Sequence, residues 1–199
     1  MDRAELPELH FITHLNNIAS ILERGILSNA RSGRHNPTSV AMEEIQERRS
    51  TRVIPHGGPL PNYACLYLQA RNAMLRKILG RHQELAILRI APDVLDTPGA
   101  IIADGNASSD YTRFYPSPDG LQFLDGLLVF ARYWTSDDPY DYMHRKRARM
   151  AELLVPDKVP AGLIMGAYVS CPQARAELLG VGFALPIVID HDFFFGKGA

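Results

Sequence analysis

Hydrophobic residues along the chain occur in short runs, and their spacing predicts a mixture of strands and helices. Apolar or alternating runs predict strands at residues 9–13, 64–68, 85–90, 150–155, 163–169 and 186–189. Helical spacing predicts helices at residues 17–24, 40–49, 72–79 and 173–179, and residues 121–129 fit either a helix or a strand. Because strands and helices interleave irregularly, the pattern favours an α+β fold over a regular parallel sheet.

Polar segments rich in Gly and Pro separate these elements. They predict loops at residues 29–39, 55–61 and 104–120. The last loop is long, which is typical of functional or mobile segments. The first helix is well delimited, because Asn16 or Asn17 can cap its start and Gly25 can end it.

The composition is that of a globular protein without a global signal for polyanions. The 199 residues are 46% hydrophobic and carry a net charge of −1, which predicts one domain over residues 1–199. Cys65 and Cys171 are far apart, which predicts reduced thiols. No run approaches the roughly 20 apolar residues of a membrane span, and no histidine pair has metal-ligand spacing. We therefore expect a cytoplasmic protein with no metal and no membrane partner.

Glu152 is the first candidate for chemistry, because it is the acid of the apolar segment 150–155 and follows the basic run 145–149. A buried carboxylate is costly unless a cation pairs with it or a reaction uses it. In a strand, Met150, Glu152 and Leu154 share one face, which leaves the acid among apolar neighbours. The basic run suits a polyanion. The alternative is an edge-strand glutamate that points to water.

Two further segments carry polar groups that suit a phosphate. His14, Asn16 and Asn17 lie at a predicted strand-to-helix junction, where free backbone N–H groups favour phosphates or amides. The alternative there is a helix cap beside a solvent-facing histidine. Three arginines within residues 48–52 can clamp a pyrophosphate, although such a run is also typical of a solvated helix face.

The strand at residues 64–68 carries an aromatic face. With strand periodicity, Tyr63, Cys65 and Tyr67 point the same way, opposite Leu66 and Leu68. Such a face can stack on a planar ring, and the alternative is ordinary core packing. No GxGxxG, GxxxxGK[ST] or GxSxG motif occurs, so dinucleotide-fold, P-loop and hydrolase chemistry lack support.

In this order, the segments resemble the DarT family of DNA ADP-ribosyltransferase toxins. The resemblance spans about residues 9–170 and rests on residues 11–26, 45–49, 63–75, 104–107 and 149–155. The chain departs from the family pattern at residues 66–68, where an aromatic-Tyr-Phe strand is usual, and at residues 72–73, where Ser-Pro is common. The resemblance implies an ADP-ribosyltransferase fold, with two small facing β-sheets, surrounding helices and an NAD cleft between the sheets.

The resemblance also implies an activity and partners. It implies transfer of ADP-ribose from NAD to thymine or guanine in single-stranded DNA, release of nicotinamide, and a macrodomain antitoxin that removes the modification. Glu152 matches the catalytic acid, which stabilises positive charge on the ribose as the nicotinamide bond breaks. Arg49 matches the essential arginine that contacts phosphates and helps the acceptor base lose its proton, with the adjacent Arg48 as an alternative. His14 matches the residue that fixes the NAD ribose, and Tyr67 would line the nicotinamide pocket.

The remaining candidates concern cofactor and DNA contacts. The other NAD-contacting candidates are Asn16, Gly25, Met74 and Leu75. A base must be unstacked before it reacts, which favours a single strand held by cations along its backbone and aromatic rings against its bases. The DNA-binding candidates are Arg71, Tyr111, Tyr115, Arg145, Lys146, Arg147 and Arg149.

Three alternative functions remain open at this point. The chain could modify RNA or protein, hydrolyse NAD with water as the acceptor, or bind nucleic acid without catalysis. The presence of His14, Arg49 and Glu152 argues against the last of these. Met150, two residues before Glu152, is not acidic, which argues against transfer to protein arginines, where a second acid is often expected.

Overall fold

Ten strands and seven short helices follow one another along residues 1–196, the part of the chain that the computed structural model describes. The strands are β1 (Leu9–His14), β2 (Ile26–Leu27), β3 (Tyr63–Tyr67), β4 (Leu85–Ile90), β5 (Ile101–Ala103), β6 (Phe114–Pro116), β7 (Glu152–Pro156), β8 (Lys158–Val159), β9 (Ile164–Val169) and β10 (Ile187–Ile189). The helices are α1 (Ile18–Arg24), α2 (Asn29–Ser32), α3 (Glu43–Thr51), α4 (Ala73–Lys77), α5 (Gly126–Val129), α6 (Pro139–Ala148) and α7 (Pro172–Gly180). This irregular succession confirms the α+β class.

Eight strands form one mixed sheet in the order β10-β9-β4-β1-β3-β7-β5-β6, and β2 pairs with β8 in a separate ribbon. β1 pairs with β4 over six residues, and β3 pairs with β7 over five. By contrast, β1 and β3 are joined by a single residue pair, His10 with Tyr67. The two facing sheets expected from the resemblance are therefore two four-stranded halves of one sheet, connected at one pair.

The two faces of the sheet have different compositions because successive residues of a strand point to opposite sides. One face packs into the main core, where Leu66, Leu88 and Leu153 lie against Ile18 of α1 and Leu178 of α7. Each of these side chains is fully buried, which contributes about 1.5–3 kcal/mol per residue. The opposite face carries the polar residues described below.

The hydrophobic pattern predicted the core strands and the first helix well. The strand at residues 85–90 matches β4, and α1 ends at Gly25 as expected. The predicted loop at residues 29–39 was partly wrong, because it contains α2, and the loop at residues 104–120 contains β6. β5 and α6 were not predicted. Among residues 1–196, every helix is too short or too polar to traverse a bilayer.

Candidate active site

Four neighbouring strands bring Arg89, His10, Tyr67 and Glu152 into one row across the sheet. Arg89 of β4 lies opposite His10, His10 lies opposite Tyr67, and Tyr67 lies opposite Glu152. Directly opposed residues place their side chains on the same face, with Cβ atoms about 4.5–5.5 Å apart. The row therefore crosses the single-pair junction between the two halves and gathers ionisable groups on the face away from the main core.

Glu152 is buried in the middle of the sheet and not at its edge. It begins β7, which has β3 on one side and β5 on the other, and only 1% of its surface is exposed. The edge-strand alternative is therefore wrong. Arg49 supplies the cation that a buried carboxylate requires. Arg49 Nη1 donates to Oε1 at 3.2 Å and Nη2 donates to Oε2 at 3.1 Å, which is the bidentate geometry of a strong charge-assisted pair.

Arg49 reaches this position from α3, while Arg48 does not. Arg48 pairs with Glu44 at 2.8 Å on the exposed side of the same helix. Burial disfavours the charge of Arg49, but the Glu152 carboxylate outweighs burial and raises the pKa of Arg49 well above its usual value. The Arg49 guanidinium therefore remains charged and cannot accept a proton from a substrate.

Asn106 is a site residue that the sequence indicated only as part of a motif. Its Oδ1 accepts hydrogen bonds from Arg49 Nη1 at 3.3 Å, from the Ser108 backbone N–H at 2.9 Å and from the Ser108 hydroxyl at 2.8 Å. The loop after β5 therefore holds Arg49 through Nη1, the nitrogen that also donates to Glu152 Oε1. The Asp-Gly-Asn sequence could have indicated this role, because short polar side chains in turns commonly form hydrogen bonds with nearby backbone groups.

Cys65 and Tyr67 form a neutral wall beside the Arg49–Glu152 pair. Burial raises the pKa of Cys65 to about 11, although Arg49 acts in the opposite direction. Burial and the nearby Glu152 carboxylate raise the pKa of Tyr67 far above its usual value. Both side chains therefore stay protonated at neutral pH. Tyr67 is only half-buried, which is compatible with the predicted role of lining a pocket.

His14 is the last residue of β1 and is buried, so the solvent-facing alternative is wrong. Its Nδ1 accepts the backbone N–H of Asn16 at 3.1 Å. In the neutral imidazole, this bond puts the hydrogen on Nε2, which lies 3.3 Å from the Glu84 carboxylate. His14 thus presents Nε2–H as a hydrogen-bond donor on the same face as His10. By contrast, the side chain of Asn16, which was also predicted to contact NAD, is exposed.

Asn17 ties this junction to the segment that leads into α3. Its Nδ2 donates to the Thr13 hydroxyl at 3.1 Å and to the Thr38 carbonyl at 3.0 Å, and its Oδ1 accepts the Thr38 N–H at 2.9 Å. The sequence indicated Asn17 as a helix cap and as part of a junction that suits phosphates or amides. Its two-sided amide bonds instead link β1 to the polar segment before Arg49.

A second buried ionic cluster occupies the other end of the row. Glu8 accepts hydrogen bonds from Arg89 Nε at 2.6 Å and from the Tyr168 hydroxyl at 2.8 Å, and its Oε1 lies 3.0 Å from His10 Nε2. Burial alone would raise the pKa of Glu8, but its partners His10, Arg89 and Tyr168 lower it to about 2. Phe193, near the chain's end, packs against the His10 ring at 5.4 Å between centroids. No pattern in the sequence predicted this cluster.

The predicted contacts of Gly25, Met74 and Leu75 have different outcomes. Leu75 has no exposed surface and packs beneath the face, so the structure contradicts a side-chain contact with the cofactor. Met74 is half-buried beside it, and its contact stays a prediction. Gly25 has a φ of +85°, and a Cβ there would lie 2.3 Å from the Val159 carbonyl oxygen. Gly25 therefore has a conformational role, and its contact with the cofactor is untested.

Arg149 was predicted to bind DNA, and the structure contradicts this prediction. It is 2% exposed, and its guanidinium donates to the carbonyls of Val129, at 2.6 Å, and Arg71. Burial, with a further contribution from the nearby Arg71, lowers the pKa of Arg149 to about 10. Arg149 therefore holds the polypeptide together and does not face a nucleic acid. It is the residue of the basic run that turns inward as α6 ends.

The other candidates lie nearer the surface. Arg71 donates to the carbonyls of Asp192, at 3.0 Å, and Arg132, at 2.7 Å, so its main visible role is to anchor these segments. Arg145 pairs with Asp141 at 2.8 Å, and Arg147 pairs with Asp104. The aromatic and lysine candidates also reach the surface: Tyr111 is 80% exposed, Tyr115 stacks on Phe123 with 4.7 Å between ring centroids, and Lys146 lies over the Tyr142 ring.

Comparison with known proteins agrees with the geometry. A family profile described as "ssDNA thymidine ADP-ribosyltransferase, DarT" matches residues 10–195. The chain belongs to the DarT family.

Among residues 1–196, no group of three or more His, Cys, Asp or Glu side chains is arranged to hold a metal ion.

DarT relatives with curated descriptions include proteins of different lengths. A DNA ADP-ribosyl transferase–DNA ADP-ribosyl glycohydrolase fusion protein of Thermosipho africanus (strain H17ap60334) is 33% identical over 196 aligned residues, covering 94% of this chain and 49% of that protein. The chain thus spans about half the length of this relative. A DNA ADP-ribosyl transferase of Mycobacterium tuberculosis (strain ATCC 25618 / H37Rv) is 33% identical over 179 aligned residues, covering 81% of this chain and 74% of that protein.

Solved DarT structures share the fold over nearly the whole chain. Thermosipho africanus DarTG in complex with ADP-ribose matches with a TM-score of 0.83 and 32% identity, covering 94% of this chain and 51% of that chain. Thermus sp. 2.9 DarT in complex with ADP-ribosylated ssDNA matches with a TM-score of 0.81 and 25% identity, covering 95% of this chain and 96% of that chain. These matches confirm the predicted ADP-ribosyltransferase-like fold.

Proposed function

We propose that this DarT chain transfers ADP-ribose from NAD to thymine in single-stranded DNA and releases nicotinamide. The observation that carries the proposal is the buried, bidentate pair of Arg49 and Glu152 on the polar face of the sheet. The family description names thymidine in single-stranded DNA, and the Thermus relative was solved with ADP-ribosylated ssDNA. Guanine is the competing acceptor base.

The residues on this face fit a dinucleotide whose ribose becomes positively charged during the reaction. The Glu152 carboxylate is held in a fixed position by Arg49 and is shielded from water, so its charge acts strongly on a nearby ribose. His14 offers a donor whose tautomer is fixed, which suits a ribose hydroxyl. Cys65 and Tyr67 contribute neutral surface, which suits the uncharged nicotinamide ring that leaves. The Thermus relative, solved with ADP-ribosylated ssDNA, supports an ADP-ribose donor at a site of this kind.

Arg49 has a second role toward the acceptor. Thymine loses its ring N–H proton to solvent as it bonds to the ribose, because Arg49 cannot take that proton while its pKa is raised. A charged guanidinium can instead stabilise the negative charge that develops on the base. Asn106 adds a further hydrogen bond to Arg49 Nη1 and so helps to fix the orientation of the guanidinium.

The DNA path proposed here includes Arg145 and Arg147, which lie on α6 close in sequence to Glu152. Both are partly exposed, and each is paired with a single carboxylate. Tyr111 offers an exposed ring, and Tyr115 with Phe123 forms a stacked aromatic surface. Cations and aromatic rings of this kind bind single strands with little sequence preference.

We also propose a partner that reverses the modification. The Thermosipho relative combines the transferase with a DNA ADP-ribosyl glycohydrolase in one chain, which supports a macrodomain antitoxin as the partner. The proposal includes a cytoplasmic location, because DNA and NAD are both found there.

The deciding experiment incubates the protein with NAD and one of three oligonucleotides of equal length. These contain thymine but no guanine, guanine but no thymine, or neither base. Mass spectrometry should show one added ADP-ribose on the thymine oligonucleotide alone, with an equal amount of nicotinamide. Nicotinamide release without DNA modification would instead identify an NAD glycohydrolase, and modification of RNA or protein alone would overturn the assignment to DNA.

A further inference from the structure

A basic cavity lies beside the ribbon formed by β2 and β8, and none of the residues of the Arg49–Glu152 site lines it. It has a volume of about 340 Å³. Its polar lining consists of Glu23, Arg24, Arg31, Arg34, His35 and Lys158. In a chain with a net charge of −1, the four full positive charges exceed the two nearby carboxylates, Glu23 of the lining and Asp157 beside Arg31, by two. Such concentrations of cations are typical of surfaces that bind phosphate.

Two of these cations are available for a ligand. Arg24 pairs with Glu23 at 3.0 Å, and Arg31 pairs with Asp157. Within residues 1–196, neither Arg34 nor Lys158 has an acidic partner within 4.0 Å, and both are exposed. Lys158 is held in place by β8, where it pairs with Leu27 of β2. The cavity therefore presents a guanidinium and an ammonium to an anion.

A second cavity of about 340 Å³ adjoins the first, because Arg31 lines both of them. Its lining includes Ser28, Asn62 and Tyr63. Ser28 is 1% exposed, and its buried hydroxyl has no hydrogen-bond partner among the described residues. Buried polar groups are usually paired, so this hydroxyl is a donor and acceptor left for a ligand. The second cavity thus offers an amide, a hydroxyl and an aromatic ring beside the cations, and the one carboxylate in its lining, Asp157, is paired with Arg31.

The two cavities together match the chemistry of a nucleotide. We propose that they form a second binding site for a nucleotide unit, with its phosphate on Arg34 and Lys158 and its sugar and base near Ser28, Asn62 and Tyr63. The occupant is a segment of the single-stranded DNA substrate outside the reacting base. Lys158 follows Glu152 by six residues; the first four steps run along β7 and span about 13 Å at ~3.3 Å per residue, and the chain turns at Asp157, which has a positive φ. A strand of several nucleotides can therefore contact both places, whereas one nucleotide cannot.

This inference rests on the proposed function, and its test separates the two. The double variant Arg34→Gln/Lys158→Gln removes the two unpaired charges. Lys77→Gln/Arg175→Gln is the matched control, because these cations are also exposed and the net charge changes equally. kcat/KM is measured for each protein with a 4-nucleotide and a 20-nucleotide single strand, each with one thymine. Binding of the 20-nucleotide strand is measured over a range of salt concentrations.

We expect the 20-nucleotide strand to be the better substrate of the wild type. The double variant should be about tenfold less active on this strand and remain unchanged on the 4-nucleotide strand. The slope of its salt dependence should become shallower by about 0.7, the value expected for the loss of one phosphate contact with a single strand. The control variant should match the wild type. Equal losses on both strands, or a loss in the control, would overturn the second site.

A binding measurement with a free deoxynucleoside monophosphate distinguishes a DNA segment from a free nucleotide as the occupant of the second site. If a free deoxynucleoside monophosphate binds the wild type but not the double variant, while both proteins use the 20-nucleotide strand equally, the site takes a free nucleotide and the DNA assignment is overturned. If no oligonucleotide is modified by the wild type, the proposed function fails. In that case, length-dependent binding that the double variant loses would still support the second site.

Discussion

Arg49 and Glu152 are separated by 103 residues in the chain, yet they form two parallel hydrogen bonds of 3.2 and 3.1 Å. The pair joins α3 to the first residue of β7, and both side chains are largely removed from water. Burying an ion pair seldom adds much net stability, because desolvation offsets the attraction. Its position on the polar face therefore indicates a chemical role.

Glu152→Gln should keep the fold and abolish DNA modification. Glutamine preserves the shape and one hydrogen bond to Arg49, but it removes the charge that stabilises the ribose in the transition state. We expect the rate to fall by about 10²–10³. Rates of ADP-ribose transfer, measured alongside circular dichroism spectra of the folded protein, provide the check. A near-normal rate would show that Glu152 is not the catalytic acid.

Arg49→Lys and Arg48→Gln form a matched pair. Lysine keeps the charge of Arg49 but cannot bond to Glu152 and Asn106 in the same planar arrangement. We expect transfer to fall roughly 10–10²-fold in Arg49→Lys. Arg48→Gln removes an exposed pair with Glu44 and should change the rate by less than about twofold. The opposite order of effects would assign the essential role to Arg48.

Arg149→Met should destabilise the protein without acting on DNA directly. The substitution leaves the carbonyls of Val129 and Arg71 without their buried donor, at a cost of about 2 kcal/mol in the free energy of unfolding. Arg145→Met, at a partly exposed position, should cost less than about 0.5 kcal/mol. Urea unfolding curves measure both values. If Arg149→Met were as stable as the wild type but bound DNA more weakly, Arg149 would be a DNA-binding residue after all.

Arg145→Ala/Arg147→Ala should weaken DNA binding and leave NAD binding intact. The two side chains pair with Asp141 and Asp104 and take no part in the hydrogen bonds of Glu152, so their removal should weaken contacts with DNA phosphates and leave the NAD contacts in place. We expect the salt slope for single strands to decrease by about 0.7 for each phosphate that is no longer bound. Thermal shifts with NAD serve as the control. An unchanged affinity and slope would move the DNA path to the loop around Tyr111 and Tyr115.

Glu8 should make stability depend on acid pH. Its folded-state pKa of about 2 is below the ordinary value of 4.5, so its contribution is complete above about pH 4.5 and is lost as the pH falls towards 2. Glu8→Gln should lower the free energy of unfolding by about 3 kcal/mol at pH 7. The difference from wild type should shrink between pH 4.5 and 3. Urea unfolding at several pH values tests this, and a difference that stays constant with pH would contradict it.

The sequence was informative where a residue's neighbours in the chain determine its environment. Strand periodicity placed Glu152 among apolar residues, and Gly25 marked the end of α1 correctly. The helix α6 was not predicted, because it is polar all round and buries no residue. Its start is set by local chemistry, since the Asp138 side chain accepts the Asp141 N–H at 2.8 Å.

The sequence was uninformative where partners come from distant segments. Arg149 belongs to a run of cations in the chain, and only its contact with Val129 shows that it turns inward. The cluster of Glu8, His10 and Arg89 likewise depends on strand register, which periodicity alone does not fix. The choice between Arg48 and Arg49 required the direction in which α3 presents each side chain.

The single residue pair between β1 and β3 has a mechanical consequence for the cleft. His10 and Tyr67 form the one paired position between β1 and β3. A rotation of one half-sheet against the other would therefore have its axis near this pair. Glu152 lies next to this axis, opposite Tyr67, and would scarcely move. His14, four residues farther along β1, would swing through a wider arc. Such a rotation would therefore change the distance from His14 to Glu152 more than the distance from Tyr67 to Glu152.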